Sequence, residues 1–165
     1  MKRRKLLWYL AAAALPLLFL VPVFWWTGLY PLGRNTLVWC DMRQQVMPLL
    51  MQLKDLLAGE VSPFYSLRAA GGMNLWGVLF FFVSSPLSLL VLFWEKADFF
   101  LLANLMTLLK ISLCSLGCFW FLRGRHPALG PQWSMLLSAG YALSGYTMLF
   151  YQNSVWLDVM AVMPP

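Results

Sequence analysis

Charge is what this sequence has least of. Only 11% of its 165 residues are Asp, Glu, Lys or Arg, against about 25% in soluble domains, which excludes an ordinary soluble fold and makes the bilayer its solvent. Acids are scarcer than bases, six against twelve, for a net charge of +6. The basic residues are confined to a few loops and form no continuous stripe, so nucleic acid is not the expected partner. The one histidine, His126, precedes Pro127 in a short turn and reads as a loop residue, and there is no HExxH and no P-loop. Three cysteines, Cys40, Cys114 and Cys118, are an odd number without zinc or disulfide spacing. They read as small buried residues.

What the chain has in quantity is apolar sequence, 61% hydrophobic and 16% aromatic. MKRRK is followed by LLWYLAAAALPLLFLVPVFWW, residues 6–26, which meets the roughly 20 residues a spanning helix needs. It ends in Phe24, Trp25 and Trp26 with no small-residue cleavage site, so an uncleaved anchor with a cytoplasmic N-terminus is expected. Residues 27–75 are mixed, and 27–98 read as an outer loop with amphipathic and interfacial helices. Within them, QQVMPLLMQLKDLLAGE sets Val46, Leu49, Leu50, Leu53 and Leu57 opposite Gln45, Gln52 and Asp55, an amphipathic helix ended by Gly59. A loop follows, with a turn at Gly71 and Gly72. Residues 99–122 form a second span despite Lys110 at its centre, RGRHPALGPQ is a basic loop, and 133–151 is a third span. QNSVWLD is a polar break, and a further span starts from 159. The fold class is therefore all-α integral membrane, one transmembrane region over 1–165, expected to be the N-terminal part of a longer protein.

The segment VLFFFVSSPLSLLVLFW, residues 78–94, is 17 residues long and interrupted by Ser84, Ser85 and Pro86. If it crosses, Arg123 and Arg125 fall outside, against the positive-inside rule. If it lies in the interface or re-enters, the cytoplasmic side holds Lys2, Arg3, Arg4, Lys5, Arg123 and Arg125 with no acid, and the outer loop is neutral. The non-crossing reading is preferred. It places Asp41 and Asp158 on the same outer face, as expected for a multi-pass protein of the bacterial cytoplasmic membrane.

Asp41, in WCDMRQQ, has two readings: with Gln44 it fits a capping box for the amphipathic helix, or it is a carboxylate held at the interface as a general base. Pro48 weakens the first, since a proline seven residues on should kink the helix. Asp158 sits where an acid enters a membrane-depth segment, costly unless it serves a function; an ordinary outer-loop acid is the plain alternative. Lys110, at mid-span, should face the bundle and pair with a carboxylate, carbonyls or a bound anion. Arg43, Arg68, Asn74 and Asn153 are candidates to hold an anionic head group, with simple solvation as the alternative. Gly140 and Ser144 form a small-xxx-small pair that implies close helix packing, and Tyr141 and Tyr146 line either a cavity or a helix contact.

Taken in order, WCDMRQQVMPLL, AAGGMNLWG, SSPLSLLVLFW, YALSGY and NSVWLDVMAVMPP resemble bacterial YfhO-type membrane proteins from about residue 25 to 165. YALSGY with NxxWLD and the closing proline is the most specific part. Such proteins are similar to GT-C glycosyltransferases and are linked to glycosylation of cell-wall polymers such as teichoic acids. The resemblance implies a GT-C-like N-terminal bundle that takes a sugar from a polyprenyl-phosphate carrier to a cell-wall polymer or lipid acceptor on the outer face. It places Asp41 at the position of the essential acid in the first outer loop, and matches Asp158 loosely to a second acid. Membrane lipids, the polyprenyl-phosphate-linked sugar donor and the polymer acceptor are the implied partners. A divalent cation is the one cofactor left open, and no DxD or similar paired-acid motif stands here to hold it. The reading from another class is a non-catalytic transporter or assembly subunit for cell-envelope lipid carriers.

Overall fold

A computed structural model describes residues 2–68 and 71–164; the first two residues of AAGGMNLWG and the closing Pro165 lie outside these. The described residues are helical with no strand. Helix α1, Lys2–Thr27, and helix α4, Phe99–Arg125, are the two long apolar ones. At about 1.5 Å per residue each exceeds the roughly 30 Å apolar core of a bilayer. Pro16 and Pro22 sit inside α1 without ending it, as spanning helices tolerate.

Helix α4 is the central helix, and its small polar residues are spent on its neighbours. Ser112 Oγ donates to the Ala13 carbonyl at 2.5 Å and Ser115 Oγ to the Ala12 carbonyl at 2.7 Å, seating α1 on α4. Ser115 also meets Ser138 at 3.3 Å on helix α5, Pro131–Ala142. Helix packing in lipid relies on this kind of close backbone approach, because apolar burial gives little drive there. Helix α7, Ser154–Val162, runs parallel to α4, with Lys110 beside Ser154 and Cys114 beside Leu157. Gly117 completes that contact: a Cβ there would lie 1.9 Å from the Ala161 carbonyl oxygen.

Several expectations need correcting. Residues 133–151 are not one helix: α5 ends at Ala142 and helix α6, Gly145–Phe150, starts after Ser144 takes an extended backbone. Twelve residues reach only about 18 Å, so α5 alone is too short to span. The packing face of α5 is Ser134, Ser138, Ala139 and Ala142, whereas Gly140 is exposed and a Cβ there would meet nothing. Cys114 and Cys118 are buried, but Cys40 is exposed. Helix α2, Met47–Leu57, and the residue before it bury Leu49, Leu50 and Val46 as the spacing predicts, but Leu57 is exposed and Gln52 and Asp55 are buried too. The loop after α2 covers them and satisfies both: Ser66 Oγ donates to Gln52 Oε1 at 3.0 Å, while Arg68 and Lys96 donate to Asp55.

Pro48 does not kink α2; it sits at the start of that helix, behind a π-helical turn, Met42–Val46. The Met47 amide bonds the Met42 carbonyl, five residues back, so the wide turn falls where proline lacks a donor.

Candidate functional site

The segment 78–94 is sharply bent. Helix α3, Leu75–Phe82, and the 3-10 helix Pro86–Phe93 meet at 105° around Val83–Ser85. Both ends attach to α2: Met73 pairs with Ser66, which bonds Gln52, and the Trp94 carbonyl accepts from Lys54. Gln52 and Lys54 are two residues apart on α2, so both ends of the segment are tied near one place, with Ser85 at the bend between them.

That bend reaches a buried ion pair. Lys110 is fully buried on α4, and its Nζ donates to Asp158 Oδ2 at 2.7 Å and to the Ser154 carbonyl at 2.8 Å. Ser85 Oγ donates to Asp158 Oδ1 at 3.2 Å and accepts from the Leu87 amide. The Asp158 side chain keeps 27% exposure while that of Lys110 has none, so the carboxylate is the accessible end. An ammonium at this depth demands a partner, and the sequence supplies one from α7 with a hydroxyl to hold it.

About 9 Å along α4 from Lys110, Asn104 fixes the loop that follows α1. Its Oδ1 accepts from the Thr36 hydroxyl at 3.1 Å and the Leu37 amide at 3.0 Å. Its Nδ2 donates to the carbonyls of Asn35 at 3.0 Å and Tyr30 at 3.2 Å. The anchored strand of loop then carries Trp39, whose indole donates to the Tyr151 hydroxyl at 3.0 Å. With its amide oriented to satisfy both ends, Gln152 donates to the Trp39 carbonyl and accepts from the indole and from Tyr151. WCDMRQQ is thus tied to the polar break that opens α7.

Asp41 follows from this anchor. Cys40 has φ +43°, a left-handed backbone that few side chains adopt. Asp41 is already in α-helical conformation and caps no backbone amide, so the capping-box reading is corrected. Its Oδ1 has the Cys40 thiol at 3.8 Å, and no cation pairs with it among the described residues.

Of the other expected binding residues, Arg43 and Asn74 are exposed, and neither Asn74 nor Asn153 caps its helix through its side chain. Arg68 is engaged with Asp55 at 2.7 Å. The Asp55 carboxyl is held below its ordinary pKa of 3.8, first by the Lys96 hydrogen bond, against the cost of burial, with Arg68 adding to it. The fold joins Lys110 to Asp158; no hydrogen bond joins Asp41 to either among the described residues. Sequence reasoning passed over Asn104, Ser85 and Gln152. Asn104 could have been found as an amide inside an apolar run. Ser85 and Gln152 carry no such signal, because only the fold brings them to their partners. Among the described residues no three His, Cys, Asp or Glu side chains converge.

Residues 12–164 match the family model described as "Bacterial membrane protein YfhO". The chain belongs to the YfhO family. Searches of curated proteins and of solved structures gave no match. The YfhO match spans Asn104, Asp41, Ser85, Lys110 and Asp158, so the anchor, the carboxylate and the ion pair all fall within the matched residues. As a member of the YfhO family it is a membrane protein, in keeping with its two long apolar helices.

Proposed function

We propose that this YfhO-family chain is part of a membrane glycosyltransferase of the GT-C kind, moving a sugar from a polyprenyl-phosphate carrier to a cell-wall polymer or lipid acceptor on the outer face. The observation that carries this is Asp41: a carboxylate where the loop after the first long helix ends, without a cation partner among the described residues and without capping duty, on a segment anchored by Asn104 and Gln152. A general base needs a positioned carboxylate that is not spent on structure. Asp41 takes the proton of the acceptor hydroxyl as its oxygen attacks the anomeric carbon, and the carrier leaves with its phosphate.

Asp158 has a different part. Its bond to Lys110 neutralises both, so it orients rather than abstracts. Lys110 and Ser85 set its position, and its exposed edge is available to an acceptor hydroxyl. Arg43, exposed two residues from Asp41, supplies charge for the departing phosphate; Arg68 contributes only by sharing its guanidinium with Asp55, and Asn74 and Asn153 offer neutral donors. The family relation and the long-loop placement of Asp41 support this reading.

The test is Asp41→Asn in the full-length protein, followed by the sugar content of the cell envelope. Loss of a general base costs about 100- to 10,000-fold, so glycosylation should fall to background with normal protein levels. Unchanged glycosylation removes Asp41 from the mechanism. The second reading, a transporter or assembly subunit, is favoured by one observation, the intramembrane Lys110–Asp158 pair, since such pairs also mark transport pathways. It predicts that Asp41→Asn is tolerated and that carrier-lipid movement fails in Lys110→Met.

A further inference from the structure

At the membrane end opposite the Asp41 loop, the start of α1, the end of α4 and the start of α5 enclose a cavity of about 400 Å³. Arg4, Lys5 and Arg123 line it together with Trp8, Tyr9 and Phe119. All six acids of the chain lie elsewhere, five between residues 41 and 98 and the sixth at 158. No carboxylate pairs with these three cations among the described residues. The Arg123 guanidinium is held by the Leu129 carbonyl, and Tyr9 is fixed edge-on to Phe119 at 5.0 Å. The cleft is positive, walled by rigid aromatics and uncompensated.

Tyr9 also borders a second cavity of about 610 Å³. This one is apolar, running between Leu6, Leu10 and Ala13 of α1 and Leu113, Leu116 and Trp120 of α4. A basic cleft opening past one shared side chain into an apolar groove along a spanning helix matches one kind of molecule. We propose that the two form a single site for an anionic phospholipid, its phosphate between Arg4, Lys5 and Arg123 and an acyl chain in the groove beyond Tyr9. A soluble phosphate ester would satisfy the cleft but leave the groove unexplained. A neutral lipid would fill the groove but not the uncompensated charge, and basic clefts between spanning helices favour anionic head groups. The site does not rest on the transferase reading, because neither Asp41, Lys110 nor Asp158 lines either cavity.

The full-length protein, purified and exposed to phosphatidylglycerol, phosphatidylcholine or inorganic phosphate, tests this by native mass spectrometry of retained lipid. Phosphatidylglycerol should be retained in preference to phosphatidylcholine. Arg4→Gln with Arg123→Gln should weaken it roughly 30-fold, about a factor of five per charge removed. Lys2, Arg3, Lys5 and Arg125 remain to set orientation. Arg4→Lys with Arg123→Lys should keep most of the binding, and Leu113→Trp, which fills the groove from a partly exposed position, should lower retention with all charges intact. Equal retention of the two lipids, or an unaffected Gln pair, overturns the proposal. Displacement of the lipid by millimolar inorganic phosphate, or indifference to Leu113→Trp, also overturns it, as a bare anion site would behave.

Discussion

Cys40 is the residue on which the placement of Asp41 turns. An L-residue in the left-handed region costs about 1–2 kcal/mol, and here it redirects the chain so that the next carboxylate misses the helix start. Cys40→Gly should therefore be neutral or stabilise by up to about 1 kcal/mol, while Cys40→Val should destabilise by more than that. Thermal unfolding of the purified variants in detergent checks both. Lys110 and Asp158 behave as a unit. Asp158→Leu strands a buried ammonium worth roughly 3 kcal/mol at a helix centre, so it should lower stability sharply. Adding Lys110→Met to it should recover most of the loss. The sequence made Lys110 legible as a cation in need of a partner and Asp158 as an acid at depth, but not that each was the other's partner. Their 48-residue separation has no local signal. WCDMRQQ shows the opposite failure: the capping pattern is local and present, and the backbone at Cys40 overrides it.

At the scale of elements, the two long helices were readable because runs above about 20 apolar residues have one stable solution in lipid. The break in 133–151 was not, since SGY inside an apolar run looks tolerable until the extended Ser144 is seen. The contact of α4 with α7 depends on Gly117, where any side chain would collide with the Ala161 carbonyl. Gly117→Ala should separate the helices and weaken the Lys110–Asp158 contact, seen as faster amide exchange in 154–162. The loop after α2 closes through Asp55, whose lowered pKa means the carboxylate form is preferred in the folded state. The stability it adds is therefore present above the unfolded value of 3.8 and is lost as pH falls through the lower folded value. Exchange in 61–68 should stay slow at neutral pH and rise only in strong acid. Asp55→Asn should raise it at neutral pH and differ little from the wild type in strong acid. Exposure of Arg68 and Lys96, 65% and 43%, keeps each surface contribution modest.

For the whole molecule, the central feature is a sharply bent segment, 78–94, whose tip touches a buried ion pair. Charge counting favours a non-crossing 78–94, whereas its 105° bend fits a re-entrant loop and a broken span alike. Single cysteines at Asn74 and Glu95, in a background without Cys40, should label from the same side of the membrane. Labelling from opposite sides would break the arrangement. What no pattern could supply is the tertiary assembly around WCDMRQQ, because Asn104, Tyr151 and Gln152 come from two other regions of the chain. The most direct measurement of the central claim is sugar transfer from a polyprenyl-phosphate donor by the full-length protein in proteoliposomes, comparing wild type with Asp41→Asn and Asp41→Glu. Turnover in the wild type, loss of at least about 100-fold in Asn and partial recovery in Glu are predicted. Equal turnover in wild type and Asn, or no transfer by any of the three with a correctly folded protein, would contradict it.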